Sequence, residues 1–335
     1  MIKEAQYYKL IEEGKVECLL CPHNCVIFPE DHGNCKVRKN KNGKLISENY
    51  SLISSIHSDP IEKKPLYHFY PGKNILSIGS IGCNLKCKFC QNCTISQTSV
   101  KEFSNAKYIS SDLILKEAQR TRNNIGVAYT YNEPTVWFEF MLETAKKVSK
   151  KSLKNVVVSN GFINKEPLSE LCKYVDAFNI DLKAYTENFY KQQTEASLTP
   201  VLNTIEYISK SNCHLEITNL IIPTLNDDIE IFKEMLNELL NISGKNTVLH
   251  LSKYYPSHKT SISSTEKNTM LSFFSKAKEY LNYVYLGNIS TDQGQNTYCP
   301  NCNNKLISRS RYYTQVNGLG ENKCLVCQTE IPIIF

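Results

Sequence analysis

The chain has 335 residues, long enough for one large core plus satellite modules, which excludes a small disulfide-stapled domain. Its 39 basic and 33 acidic residues leave a net charge of +6 with both signs interleaved, a bias that suits an anionic cofactor, an acidic protein partner or nucleic acid and selects none of them. The charged opening stretch has no apolar run of signal-peptide length, and no later run nears the ~20 apolar residues of a membrane span, so a soluble, cytoplasmic protein without membrane contact is expected; fourteen cysteines in a reducing compartment then point to metal ligation before disulfides.

In chain order, the cysteines divide the sequence into three parts. Residues 1–72 form a Cys-rich metal-binding segment, with Cys18, Cys21, Cys25 and Cys35 in "CLLCPHNC" and "GNC". Their spacing supplies enough thiolates for zinc, the preferred reading, or for a second, closed iron–sulfur cluster, and does not separate the two. His23 in the same loop could replace one thiolate, although beside a Pro in a tight loop it reads as a bystander.

Residues 73–292 alternate strands with helices. "NILSIGS", "GVAYTY", "NVVVS", "AFNIDL", "HLEITNLII", "TVLHL" and "YVYLG" read as strands. "SSDLILKEAQRTR", "TVWFEFMLETAKKVSKK", "EPLSELCKY", "PVLNTIEYISKS", "DDIEIFKEMLNELL" and "STEKNTMLSFFSKAKEYL" read as helices, several opening on Ser, Thr or Asp caps. This rhythm predicts an α/β fold, a partial or full parallel (β/α) barrel with right-handed crossovers. Such barrels carry chemistry on loops leaving the C-terminal ends of strands, and "GCNLKCKFCQNC" directly follows the first strand.

In that loop Cys83, Cys87 and Cys90 supply three thiolates, where a closed [4Fe–4S] cluster or structural zinc takes four. Three ligands leave one iron open to a substrate or cofactor, with Phe89 placed to shield one face of the cluster. A zinc knuckle, or a fully ligated electron-transfer cluster with Cys93 as fourth ligand, are the plainer readings of the same spacing. Further strand ends are polar. "AYTYNEP" ends on Glu133, "VVSNGF" on Ser159, Asn160 and Gly161, where glycine permits close backbone approach, and "NIDLKAY" puts Asp181 and Lys183 on one face. "LHLSKYYPSHK" aligns His250 and Ser252 and exits at Tyr255.

Residues 293–335 close the chain with Cys299-x2-Cys302 and Cys324-x2-Cys327, separated by 21 residues. Four thiolates on paired turns close a tetrahedron, so a zinc-ribbon-like module holding structural zinc is expected. Asn303 stands where such a turn prefers Gly, and Asn tolerates the left-handed geometry.

The Cys-x3-Cys-x2-Cys spacing with an aromatic before the last cysteine resembles the radical S-adenosylmethionine (radical SAM) superfamily. Together, "CLLCPHNCVI", "DPIEKKPLYHFYPG", "SIGSIGCNLKCKFCQN", "TYNEP", "DLKAY", "YLGN" and "YCPNCNNKLISR" resemble the radical SAM member of the AmmeMemoRadiSam system, similar to pyruvate formate-lyase activating enzymes. The resemblance implies a [4Fe–4S] cluster on Cys83, Cys87 and Cys90 whose open iron binds S-adenosylmethionine. It implies cleavage of that cofactor to a 5′-deoxyadenosyl radical and hydrogen abstraction from a protein or small-molecule substrate, with flavodoxin or ferredoxin as reductant. It also implies that Glu133 accepts hydrogen bonds from the cofactor ammonium, that Asp181 and Lys183 act at the cofactor carboxylate or the radical site, and that His250 or Tyr255 lines the adenine or substrate edge. Cys93, Asn303 and Arg311 depart from the family pattern. The competing reading is a metal-bearing adaptor for protein or nucleic acid with a structural cluster; it gives no reason for the polar strand ends, and nucleic acid is the less favoured partner.

Overall fold

The computed structural model describes residues 3–310 and 312–335, so Arg311 lies outside the described residues. At its centre is an eight-stranded sheet. The strands are β1 (Ser55–Pro60), β2 (Asn74–Gly79), β3 (Asn124–Tyr129), β4 (Lys154–Ser159), β5 (Ala177–Asp181), β6 (His214–Ile221), β7 (Val248–Lys253) and β8 (Tyr283–Gly287). Each pairs with the next in sequence; all neighbours are parallel except β1, which runs antiparallel to β2. The first and last strands end the sheet order unpaired with each other, so the barrel is open. The seven strands expected from the sequence are all present. The antiparallel edge strand β1 was not expected, and it starts the sheet upstream of residue 73.

Helices fill the crossovers: α1 (Ser111–Arg120), α2 (Phe138–Ser149), α3 (Lys165–Leu171), α4 (Thr199–Ser209), α5 (Ile229–Ser243) and α6 (Lys267–Tyr280). Ser110 caps α1 by accepting from the Leu113 amide, and Asp228 caps α5 by accepting from Glu230 and Ile231. The strands are buried on both faces, as a parallel sheet under helices must be. Phe140, Met141, Val148, Val201, Ile205, Leu236 and Leu239 supply the helix side of that core. No described helix is long and apolar enough to cross a membrane.

Towards the N-terminal ends of the strands, one carboxylate organises the floor of the barrel. Glu216 of β6 is fully buried and accepts from the Tyr67 and His68 amides at 2.9 and 2.7 Å. His214 Nε2 and His250 Nε2 lie 2.9 and 2.6 Å from it. Burial pushes its pKa up, but the two imidazoles outweigh that and hold it well below the ordinary carboxylate range. This accounts for "DPIEKKPLYHFYPG", which has no catalytic logic of its own. Its backbone closes the barrel floor, while His68 Nε2 meets the Tyr285 hydroxyl at 2.7 Å and Asn179 donates to the Pro65 carbonyl at 2.8 Å. Arg309 of the C-terminal module donates to the Tyr67 carbonyl at 2.7 Å and stacks over the Tyr67 ring at 4.3 Å. The C-terminal module is thereby tied to the barrel through one polar network.

Candidate active site

At the end of β2 the chain turns through Gly82, with φ of +89°. A Cβ there would stand 2.8 Å from the Cys35 carbonyl oxygen and 2.7 Å from Val37 Cγ1, so only glycine lets the N-terminal segment lie against this loop. Cys83, Cys87 and Cys90 follow and line one cleft of about 430 Å³. The loop is held from outside. The Lys86 and Lys88 amides donate to the Thr194 and Gln193 carbonyls, Gln97 donates to the Leu85 carbonyl, and the Ser257 hydroxyl donates to the Cys90 carbonyl. Cys83 Sγ accepts from the Leu85 amide at 3.3 Å and lies 3.8 Å from Asn160 Nδ2.

Burial pushes the Cys83 thiol well up and the Cys87 thiol to about 12, with Lys183 opposing the shift at Cys87. Such thiols are inert until a metal takes the proton's place. Cys93 opens a short helix, Cys93–Ser96, and is not on the cleft wall. Three sulfurs therefore face the cleft.

Opposite them, Lys183 Nζ lies 2.5 Å from Asp181 Oδ2 at the end of β5. Burial alone would lower the Lys183 pKa, but Asp181 and Cys87 raise it, so the side chain is a fixed ammonium beside the thiols. Glu133 is buried at the end of β3. Its Oε1 accepts from the Thr135 amide (2.9 Å) and the Ser159 hydroxyl (2.8 Å), and its Oε2 from the Asn160 amide (2.8 Å). Desolvation raises its pKa against these donors. Glu133 nonetheless lines the cleft, with its donors drawn from the strand ends around it.

Phe89, Glu133, Ser159, Asn160, Asp181 and Lys183 all come together here with the three cysteines. Gly161, His250 and Tyr255 do not. Gly161 adopts φ of +71° with Ile180 Cγ2 3.0 Å from where its Cβ would be, so its freedom serves packing rather than a ligand. His250 sits one pleat toward the floor from Ser252, drawn to Glu216 as described, and Tyr255 is 44% exposed with its hydroxyl on the Asn288 carbonyl. Asn132, in the loop after β3, clamps the strand ends by accepting from the Ser80 amide and donating to the Gly82 carbonyl, both at 2.9 Å.

Lys63 and Lys64 also line the cleft and were missed. Lys64 Nζ lies 2.6 Å from Asp59 Oδ2 and 4.6 Å from the centre of the Tyr131 ring. The signal was the Asp59 carboxylate four and five residues before two lysines, legible as an ion-pair spacing but not as cleft chemistry.

At the far end, the sulfurs of Cys299, Cys302, Cys324 and Cys327 all lie within 4.8 Å of one another, with pairs at 3.5 and 3.6 Å. A tetrahedron with Zn–S bonds of about 2.3 Å has edges of about 3.8 Å. Asn303 turns the first knuckle with φ of +58°, the geometry that Asn tolerates. Cys172 and Cys213, lone in sequence, meet in space, with Cys213 Sγ 3.6 Å from the Cys172 carbonyl.

Residues 77–238 match the profile of the Radical SAM superfamily. The chain is 38% identical over 338 residues to an uncharacterised protein of Methanocaldococcus jannaschii, covering 100% of both chains. The chain belongs to the radical SAM superfamily. It is 25% identical over 217 residues to the 4-hydroxyphenylacetate decarboxylase activating enzyme of Clostridium scatologenes, covering 62% of this chain and 67% of that one. A radical SAM methyltransferase from Sphaerobacter thermophilus shares the fold with a TM-score of 0.50 at 11% identity, over 65% of this chain and 67% of that chain. This radical SAM protein is therefore an enzyme with activating-enzyme-like relatives, and its superfamily implies a [4Fe–4S] cluster and S-adenosylmethionine. The cleft residues fit both groups: three cysteine sulfurs for the cluster, and the Lys183 ammonium and the Glu133 carboxylate for an amino acid's carboxylate and ammonium.

Proposed function

We propose that this enzyme reductively cleaves S-adenosylmethionine at a cluster held by Cys83, Cys87 and Cys90, and takes a hydrogen atom from a protein substrate of the glycyl-radical kind. The observation that carries the reading is the set of three thiols that line one cleft with a fixed ammonium and a buried carboxylate. A reduced cluster bound by these three cysteines would supply the electron for cleavage of the sulfonium bond.

The protein's part is placement. Glu133, held rigid by Thr135, Ser159 and Asn160, takes the cofactor ammonium as a charge-assisted partner. Lys183, oriented by Asp181, takes the cofactor carboxylate. Phe89, buried and packed on Phe189 with ring centres 5.8 Å apart, keeps water from one side of the cysteine loop. Lys63 and Lys64 line the same cleft and share the Asp59 carboxylate, leaving one net positive charge for an anionic substrate group. The electron comes from a flavodoxin or ferredoxin. The C-terminal cysteines hold a structural zinc ion away from the chemistry.

The test is anaerobic reconstitution, reduction with dithionite and addition of S-adenosylmethionine. Formation of 5′-deoxyadenosine is expected, and Cys87→Ala should reduce it to background. A fully loaded enzyme that forms none would overturn the reading. The substrate arm is read by deuterium transfer into 5′-deoxyadenosine from a candidate glycyl-radical protein carrying deuterated glycine.

A further inference from the structure

The N-terminal cysteines are drawn into one pocket by two local devices. The Cys18 amide donates to the Cys25 carbonyl at 2.9 Å and the Asn24 amide to the Cys21 carbonyl at 3.0 Å, closing a turn that carries three of them. The Gly33–Lys36 turn, closed by a 2.9 Å bond between its ends, delivers Cys35. The two turns meet: Cys25 Sγ lies 3.6 Å from where a Cβ on Gly33 would stand, two residues before Cys35.

Their spread differs from that of the C-terminal knuckles. Among the described residues, Cys299, Cys302, Cys324 and Cys327 form the one group drawn tight enough for a single ion. The N-terminal set is gathered but looser, as is the cleft set. One zinc needs all four sulfurs on a single centre, whereas a cubane seats each thiolate on its own iron and so holds them farther apart.

Charge makes the pocket ready for an anionic group. Arg38 is buried, with one nitrogen on Glu139 at 2.7 and 2.8 Å, while its Nε and Nη1 have no partner. It stands in the field of Cys18 and Cys35. Lys86 Nζ is likewise buried without a partner, within electrostatic reach of both Cys35 and Cys83. Unpartnered buried donors are costly. Four thiolates around a metal centre supply the missing negative charge for zinc and cubane alike, so the spread of the sulfurs decides between them.

We infer that Cys18, Cys21, Cys25 and Cys35 hold a second, fully ligated [4Fe–4S] cluster that passes electrons to the cleft. The two cysteine loops touch: Gly82 separates the Cys35 carbonyl from Cys83, and His23 Nε2 lies 2.7 Å from the Asn84 carbonyl oxygen. The second cluster takes one electron from a reduced flavodoxin or ferredoxin and passes it to the first. Each cycles between its 2+ and 1+ states, with no proton, ligand or bond exchanged. The relay rests on the function proposed above; the metal site does not.

The experiment is metal analysis with Mössbauer and electron paramagnetic resonance spectroscopy on anaerobically purified full-length protein. Wild type should carry about eight irons and about one zinc. The Cys83→Ala/Cys87→Ala/Cys90→Ala variant should keep about four irons in a cluster whose reduced signal ignores S-adenosylmethionine, and Cys21→Ala/Cys25→Ala should keep about four whose signal responds to it. Two zinc ions per chain, or loss of all cluster iron in the triple variant with the fold intact by circular dichroism, overturns the second cluster. Should a variant fail to fold, the wild-type iron-to-zinc ratio and the number of Mössbauer cluster components decide. Two clusters of which neither responds to S-adenosylmethionine would uphold this site and sink the proposed function instead. For the relay, stopped-flow reduction of the first cluster by reduced flavodoxin should slow several-fold in Cys21→Ala/Cys25→Ala; an unchanged rate overturns it.

Discussion

The C-terminal knuckles and the cleft loop use the same ligand in opposite ways. In the knuckles four sulfurs close on one another within 4.8 Å, in a module that Arg309 ties to the barrel floor. In the cleft three sulfurs open onto a space of about 430 Å³ that also holds Glu133, Asp181 and Lys183. A closed shell of thiolates is a structural device, because every coordination site is spent within the protein. An incomplete one is reactive, because something outside must complete it. The difference predicts that substitutions in the first region register in stability, and those in the second in chemistry.

The strongest way to break that contrast is Cys324→Ser with Cys327→Ser. These changes should abolish zinc binding and cost several kcal/mol of stability, roughly the loss expected when a structural metal is removed. Thermal unfolding and zinc content check this, and the S-adenosylmethionine response of the iron–sulfur signal should survive below the lowered melting point. Next is Glu216→Gln on the floor. Weakening four buried donors at once should cost about 3–5 kcal/mol, read as a lower urea midpoint at unchanged slope. In the cleft, Lys183→Met should lower 5′-deoxyadenosine formation roughly 10- to 100-fold, as loss of one charge-assisted contact implies, with the melting point nearly unchanged.

A smaller effect follows from His68. Burial, with help from Arg309 and His214 and against Glu216, pushes its pKa down to about 3. The unfolded chain binds a proton below about pH 6.5 that the native site refuses. Stability should therefore fall as pH drops from about 6.5 toward 3 and be flat above that window for this residue. The difference between wild type and His68→Gln in urea midpoints at pH 7.5 and 5.0 isolates it. Smallest of all, Tyr255→Phe should change turnover less than about twofold, since its hydroxyl serves only a rim carbonyl.

The parallel strands were legible because each is a short apolar run between helices with their own caps, and that pattern is local. The cleft set was legible too, since loops after successive parallel strands must converge at one end of the sheet. What escaped depends on partners distant in the chain. "SIHSDP" is polar and unperiodic; it becomes a strand by pairing with β2. The family resemblance implied a place for His250 at the adenine or substrate edge, whereas Glu216 on the neighbouring strand draws it to the floor. Lys64 drew no reading of its own, because the Tyr131 ring that covers it comes from a distant loop. The nuclearity of the N-terminal set lies in sulfur-to-sulfur separation, which spacing along the chain does not encode.

Glu216 has a kinetic consequence. Beyond the local His214, its donors come from positions 67, 68 and 250, so the carboxylate can leave water without penalty only after two remote stretches have arrived. Its capture therefore belongs to the downhill side of the refolding barrier, and weakening it will accelerate unfolding far more than it slows folding.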